Sequence, residues 1–303
     1  MMPQTNTTAI RGVAITGALG NLGTKLFRHL QQSVGIERLV GLDVRVPEDA
    51  PQAVVPGVEY IQCDLAHWHD PRWRGALANV DAIVHFAAQN PYPEATWQEA
   101  AISLDMTLHI ANAAVESGVQ RVVFATSNHV MGRYKDDPLW ESVGAGELRP
   151  DLPPGVGTVW HTGAQAMDST PYATSKLMGE RVCKATAARA AGRTTFACVR
   201  IGWCQPGENL PATLSAAGTP TQAAGSAAPV DAAWARADRW FKEMWLSNRD
   251  FVHLFERAIL ADGATWPDGM VLVNGMSANR GMKWSLDETK RWLGYAPQDD
   301  LYR

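Results

Sequence analysis

The chain has 303 residues, 46% of them apolar, enough for one large core or two smaller ones. Its formal net charge is −4 and its 27 Lys and Arg are scattered, so neither a nucleic acid nor an anionic membrane surface is implied as a partner. No stretch approaches the roughly 18 uninterrupted apolar residues of a membrane helix, and the polar start MMPQTNTTAI lacks the charged-then-apolar pattern of a secretory signal.

In chain order, Gly12–Thr16 reads as a buried strand, Leu22–Gln32 as a helix, Arg38–Asp43 as a second strand and Val58–Gln62 as a third. Ala82–Phe86 is a fourth strand, followed by a helix over about 96–117, a fifth strand at Arg121–Ala125, a helix over about 172–191 and a sixth strand at Thr194–Arg200. Beyond it, Trp234–Leu260 is helical in composition, Met270–Asn274 is a strand, and Asp287–Leu293 closes with a short helix. Continuously apolar strands separated by helices predict a parallel sheet covered on both faces, the doubly wound α/β (Rossmann) fold. Residues 1–200 are expected to bind a dinucleotide and 201–303 to form a smaller substrate-binding region. Two segments interrupt the pattern: 133–170, with four prolines, and 206–233, rich in Ala, Gly, Pro, Thr and Ser. The second reads as a surface loop, with a lid or oligomer arm as its functional alternative.

The cofactor signal is Thr16-Gly17-Ala18-Leu19-Gly20-Asn21-Leu22-Gly23, set between the first strand and the first helix. Glycines there permit the tight turn and remove Cβ atoms that would block a pyrophosphate, while the helix N-terminus offers free N–H groups to the phosphates. Asp43 ends the second strand, where a carboxylate accepts from ribose hydroxyls and repels a 2′-phosphate; this favours NAD over NADP, although Arg45 could greet that phosphate. Asp64 and Leu65 follow the third strand and are placed to meet adenine, with helix capping as the bland alternative for Asp64.

The catalytic signal is Tyr172-Ala173-Thr174-Ser175-Lys176. Residues four apart share a helix face, and an ammonium beside the phenol is expected to lower its pKa and make it a base for a substrate hydroxyl. The end of the fifth strand should supply the third member: Ser127, with Thr126 as its rival, to orient the reacting oxygen. Cys63, Cys183, Cys198 and Cys204 form no C-x-x-C pair, which fits reduced thiols in the cytoplasm. No His, Cys and carboxylate cluster has metal-ligand spacing. Twelve tryptophans suit both core packing and stacking on a sugar.

Together, T-G-x-x-G-x-x-G, Asp64-Leu65, His85-Phe86-Ala87-Ala88, Ser127-Asn128-His129-Val130-Met131-Gly132 and Y-x-x-x-K resemble the extended short-chain dehydrogenase/reductase superfamily over residues 11–204. Within it, Ala125–His129, Val199–Gly202, Trp245–Phe251 and Ser277–Asn279 resemble bacterial uronate dehydrogenases, which oxidise C1 of a hexuronic acid to a lactone with NAD. The resemblance implies that Ala87 lies at the cofactor, that Lys176 also holds the nicotinamide ribose, and that Ser127, Asn128 and His129 face a sugar. It also implies a homo-oligomer, a dimer above all, formed by the helices after the fourth and fifth strands.

The chain departs from that pattern at Asn90 and Trp203, where those enzymes have serines, and in its two interrupting segments. Their sugar-acid arginine should lie shortly before Trp245; Arg239 is the nearest candidate and is out of register. Asn90, Asn128, His129, Trp203 and Arg239 are thus the expected substrate contacts, and Trp203 must reshape the pocket. A uronate, a C6-sulfonated sugar, a neutral aldose or a bulkier alcohol all stay open. One alternative function is a nucleotide-sugar epimerase or dehydratase that retains its NAD, although Asn128 and His129 stand where a dehydratase needs an acidic pair. A non-catalytic dinucleotide sensor is the other, opposed by the intact Tyr172 and Lys176.

Overall fold

The computed structural model describes residues 9–89, 96–161, 166–214 and 232–303. Seven parallel strands form one sheet in the order β3-β2-β1-β4-β5-β8-β9. They are β1 (Gly12–Thr16), β2 (Arg38–Asp43), β3 (Glu59–Gln62), β4 (Ala82–His85), β5 (Arg121–Ser127), β8 (Thr195–Ile201) and β9 (Met270–Gly275). The helices are α1 (Asn21–Leu30), α2 (Pro71–Leu77), α3 (Trp97–Glu116), α4 (Thr170–Ala190), α5 (Ala232–Glu243), α6 (Asn248–Leu260) and α7 (Asp287–Leu293).

Successive strand residues point to opposite faces, which divides the core in two. Val13 and Ile15 of β1 pack with Leu26 and Phe27 of α1 and Phe251 and Phe255 of α6. Ala14, Ile83, Val122 and Phe124 face the other way, toward Ile110 and Ala114 of α3 and Cys183 and Ala187 of α4. With both faces covered, the strands read as apolar runs. The strand order reverses between β1 and β4, and ligands of such sheets lie beyond the carboxyl ends of the strands at that switch.

The helical composition of 234–260 resolves into two helices, because Ser247 caps a new start by accepting from the Asp250 amide at 3.0 Å. The interrupting segment 133–170 holds an antiparallel hairpin of β6 (Val159–His161) and β7 (Ala166–Asp168). The segment 206–233 lies largely outside the described residues. Although β9 comes from the C-terminal part of the chain, it completes the main sheet beside β8.

A buried ion pair joins α4 to β8. Arg200 donates through Nε and Nη2 to the two oxygens of Glu180, at 2.9 and 2.8 Å, and through Nη1 to the Pro150 carbonyl. Truncating one partner leaves a buried charge uncompensated. Arg200→Met is therefore expected to destabilise the protein by about 3–5 kcal/mol, read as a lowered denaturant midpoint.

Candidate active site

The first βα turn forms a crevice of about 540 Å³ whose lining includes Gly17, Gly20, Asn21, Leu22, Asp43, Asp64, Leu65, Ala87, Tyr172 and Lys176. Gly17 has φ +66, and a Cβ on it would stand 3.1 Å from the Ala87 nitrogen. A Cβ at Gly23 would meet the Gly17 and Ala18 carbonyl oxygens at 2.6 and 2.7 Å, so this glycine lets α1 press against its own loop. Gly20 precedes α1 without a capping side chain, leaving the helix N-terminus to an anion. This cradle has the form a dinucleotide pyrophosphate needs.

Asp43 stands at the end of β2 with its side chain 7% exposed. One carboxylate oxygen accepts from the Leu19 amide at 2.9 Å; the other accepts from the Arg45 amide at 3.0 Å and the Arg45 Nε at 3.3 Å. Asp64 accepts from the Ala66 amide, while Asp70 caps α2 by accepting from the Arg72 amide. Asn21 donates to the Cys204 carbonyl at 3.0 Å, tying the loop after β8 to the start of α1.

At the other end of the crevice, α4 meets β5. Ser127 stands beside Tyr172, where its hydroxyl favours the ionised phenol, and Ser127 Oγ accepts from the His129 amide at 3.1 Å. Lys176 Nζ donates to the Ala125 carbonyl at 2.8 Å and lies 5.6 Å from the centre of the Tyr172 ring. One turn further on, Glu180 accepts from Thr126 Oγ1 at 2.8 Å. Three consecutive strand residues thus each meet one of three α4 residues spaced by four. Thr126 gives its hydroxyl to Glu180 and lines the crevice, while Ser127 stands beside the tyrosine.

The ionisation of this pair corrects an expectation. The lysine was expected to make the phenol acidic; instead burial pushes Tyr172 up to about 12, only partly offset by Ser127. The same burial pushes Lys176 down to about 7. Desolvation disfavours both charges.

The chain matches the NAD dependent epimerase/dehydratase family over residues 13–202, nearly two thirds of its length. It belongs to that family. Over its whole length it is similar to a uronate dehydrogenase of Pseudomonas putida, with 28% identity covering 97% of this chain and 86% of that one. It is also similar to an NAD(P)-dependent L-arabinose 1-dehydrogenase of Haloferax volcanii, at 26% identity over 95% of this chain and 96% of that one. Among solved structures it shares its fold with a mutated uronate dehydrogenase, with a TM-score of 0.66 at 24% identity over 97% of this chain and 83% of that one.

The substrate residues expected from the sequence are placed less uniformly than those of the family's cofactor loop. His129 lies edge-on to Tyr172, with centroids 5.9 Å apart, and stacks on Trp160. Its Nδ1 is held by Thr158 Oγ1 at 2.7 Å and Ser169 Oγ at 3.0 Å, and burial pushes it down to about 4. Asn128 is buried, donates to the Ile201 carbonyl at 3.0 Å, and keeps a buried Oδ1 without a partner. Trp203 bridges to Trp245 by its backbone, taking the Met244 carbonyl and offering its own to Leu246. Arg239 is not brought to the crevice: it donates to Glu243 at 2.6 Å and to the Gly281 carbonyl at 2.8 Å, one helical turn and a facing loop having taken its donors. Asn90 lies outside the described residues. No group of three potential metal ligands occurs among the described residues.

The sequence reading missed Glu180, whose signal was its spacing of four from Lys176, and His85, which it met only as part of a motif.

Stability should carry the mark of the buried lysine. Between about pH 7 and 10 the unfolded chain holds a proton at Lys176 that the folded chain has released, so stability rises with pH there. Above 10, Tyr172 acts in the opposite sense, because the folded chain keeps a proton that the unfolded one loses. Lys176→Met is expected to flatten the rise between 7 and 10 in thermal midpoints measured against pH.

Proposed function

We propose that the protein is an NAD-dependent sugar dehydrogenase that oxidises C1 of an aldopyranose to a lactone. The observation that carries this reading is that Tyr172 and Lys176 both line the dinucleotide crevice, with Ser127 beside Tyr172. The whole-length similarity to a uronate dehydrogenase and an arabinose 1-dehydrogenase supports C1 of a free sugar as the reacting carbon.

In this reading Ser127 holds the C1 hydroxyl oxygen against Tyr172, which takes its proton as the C1–H bond breaks. When bound, NAD supplies a positively charged nicotinamide that accepts the hydride and favours the phenolate. The C1–O single bond becomes the lactone carbonyl, and the proton leaves Tyr172 for solvent. Lys176, at about 7, stands where it can hold the nicotinamide ribose. His129 is a neutral hydrogen-bonding partner for sugar hydroxyls. Asp43, with Arg45 turned onto it, keeps negative charge at the ribose end and favours NAD over NADP.

Residues 1–200 would serve as the dinucleotide-binding part and 201–303 as the substrate region. A cytoplasmic homodimer completes the proposal: Trp97 and Leu108, exposed and on one side of α3, offer apolar surface for it. No described helix is long and apolar enough to cross a membrane.

Tyr172→Phe keeps the ring and removes the proton acceptor. It is expected to lower kcat by about 100-fold or more while NAD still binds, checked by NADH formation from a panel of free sugars and sugar acids together with NAD titration. Unchanged turnover at saturating substrate would remove Tyr172 from the chemistry.

A further inference from the structure

Thr16, the last residue of β1, is fully buried, and its Oγ1 accepts from the Phe86 and Ala87 amides at 3.1 Å each. A hydroxyl has two acceptor sites and one proton. With both sites taken, the proton goes to the third partner, His85 Nδ1, at 2.8 Å. Nδ1 is therefore the bare nitrogen of the ring. At its other side, Nε2 lies 3.2 Å from Thr107 Oγ1. Thr107 donates its own proton to the Ser103 carbonyl at 3.0 Å, so toward His85 it accepts. The two ends, counted independently, require the same tautomer: neutral, with its proton on Nε2.

The relay joins β1, β4 and α3, and its Thr16 end holds one wall of the crevice. Phe86 and Ala87 hang from Thr16; Ser103 meets the relay through its carbonyl, while its hydroxyl separately accepts from the Gln89 amide at 2.9 Å and donates to the Glu99 carbonyl at 3.1 Å. Phe86, Ala87, Ala88 and Gln89 all line the crevice. Ala87 is also the residue against which Gly17 closes, so a shift of this wall moves the surface beside the glycine loop. The ring is further fixed by stacking on Phe124, with centroids 5.7 Å apart.

We propose that His85 is a positioning residue for dinucleotide binding, acting through a one-way hydrogen-bond relay, Thr16 to His85 to Thr107 to Ser103, that sets the Phe86–Ala87 wall of the crevice. An imidazolium cannot replace it: with two donors, it would face a Thr16 hydroxyl whose acceptor sites are spent, and an amide of the wall would lose its partner. Burial keeps His85 neutral, far below its ordinary range. The proposal rests on the dinucleotide occupying this crevice and is independent of which sugar reacts.

The test uses the full chain. NAD is titrated into wild type, Thr16→Val, which keeps the shape and removes the hydroxyl, Thr16→Ser, which restores it, and His85→Phe, which keeps a ring and removes both nitrogens. Expected is about tenfold or greater weakening of Kd for NAD in Thr16→Val and His85→Phe, near-wild-type binding in Thr16→Ser, and kcat at saturating NAD changed by much less than Kd. Nitrogen-15 NMR of wild-type His85 reads the tautomer without any substitution: Nε2–H, not titrating over about pH 5–8. An Nδ1–H tautomer, a titrating ring, or equal weakening in Thr16→Ser and Thr16→Val would overturn the relay. Failure of the wild type to bind NAD would overturn the crevice assignment and the relay with it.

Discussion

The structure turns on one register: the seating of α4 against the end of β5. Lys176 reaches the Ala125 carbonyl, Glu180 accepts from the Thr126 hydroxyl, and Tyr172 stands beside Ser127. A helix places residues four apart on one face and a strand advances a residue at a time, so three contacts lock translation and rotation together. A phenol misplaced by about 1 Å loses much of its advantage in proton transfer. The Arg200 guanidinium closes the arrangement by donating to both oxygens of Glu180, which makes a buried carboxylate tolerable one turn from Lys176.

That register was half legible in the sequence. Tyr172 and Lys176 announce themselves by spacing, and Ser127 by its place at a strand end. Glu180 continues the same face at a spacing of four from Lys176, but that spacing gains meaning only from its partners Thr126 on β5 and Arg200 on β8. The glycine loop was readable because its constraint is steric and local: Gly17 and Gly23 occupy places where a Cβ strikes backbone. The expected acidity of Tyr172 was misjudged for a physical reason. Spacing predicts proximity to a cation, but not the depth at which both groups lie, and depth dominates here.

The surroundings of His129 were less readable because they are assembled from segments distant in sequence. His129 is fixed by Thr158 and Ser169, which flank the β6–β7 hairpin, and Trp160 of that hairpin stacks on it. Arg239 had the right residue type near the right position, yet Glu243 and Gly281 use its donors. The long apolar runs of β1, β2, β4, β5 and β8 gave the sheet away, whereas the break at Ser247 hides in a continuous helical composition.

The central claim is that a hydride moves from C1 of a free sugar to NAD supplied from solution. It is tested most directly with an aldose deuterated at C1, by following the label. The account predicts stoichiometric formation of deuterated NADH with a primary isotope effect on the hydride step. Activity on a nucleotide sugar without added NAD, with no label released into free NADH, would contradict it.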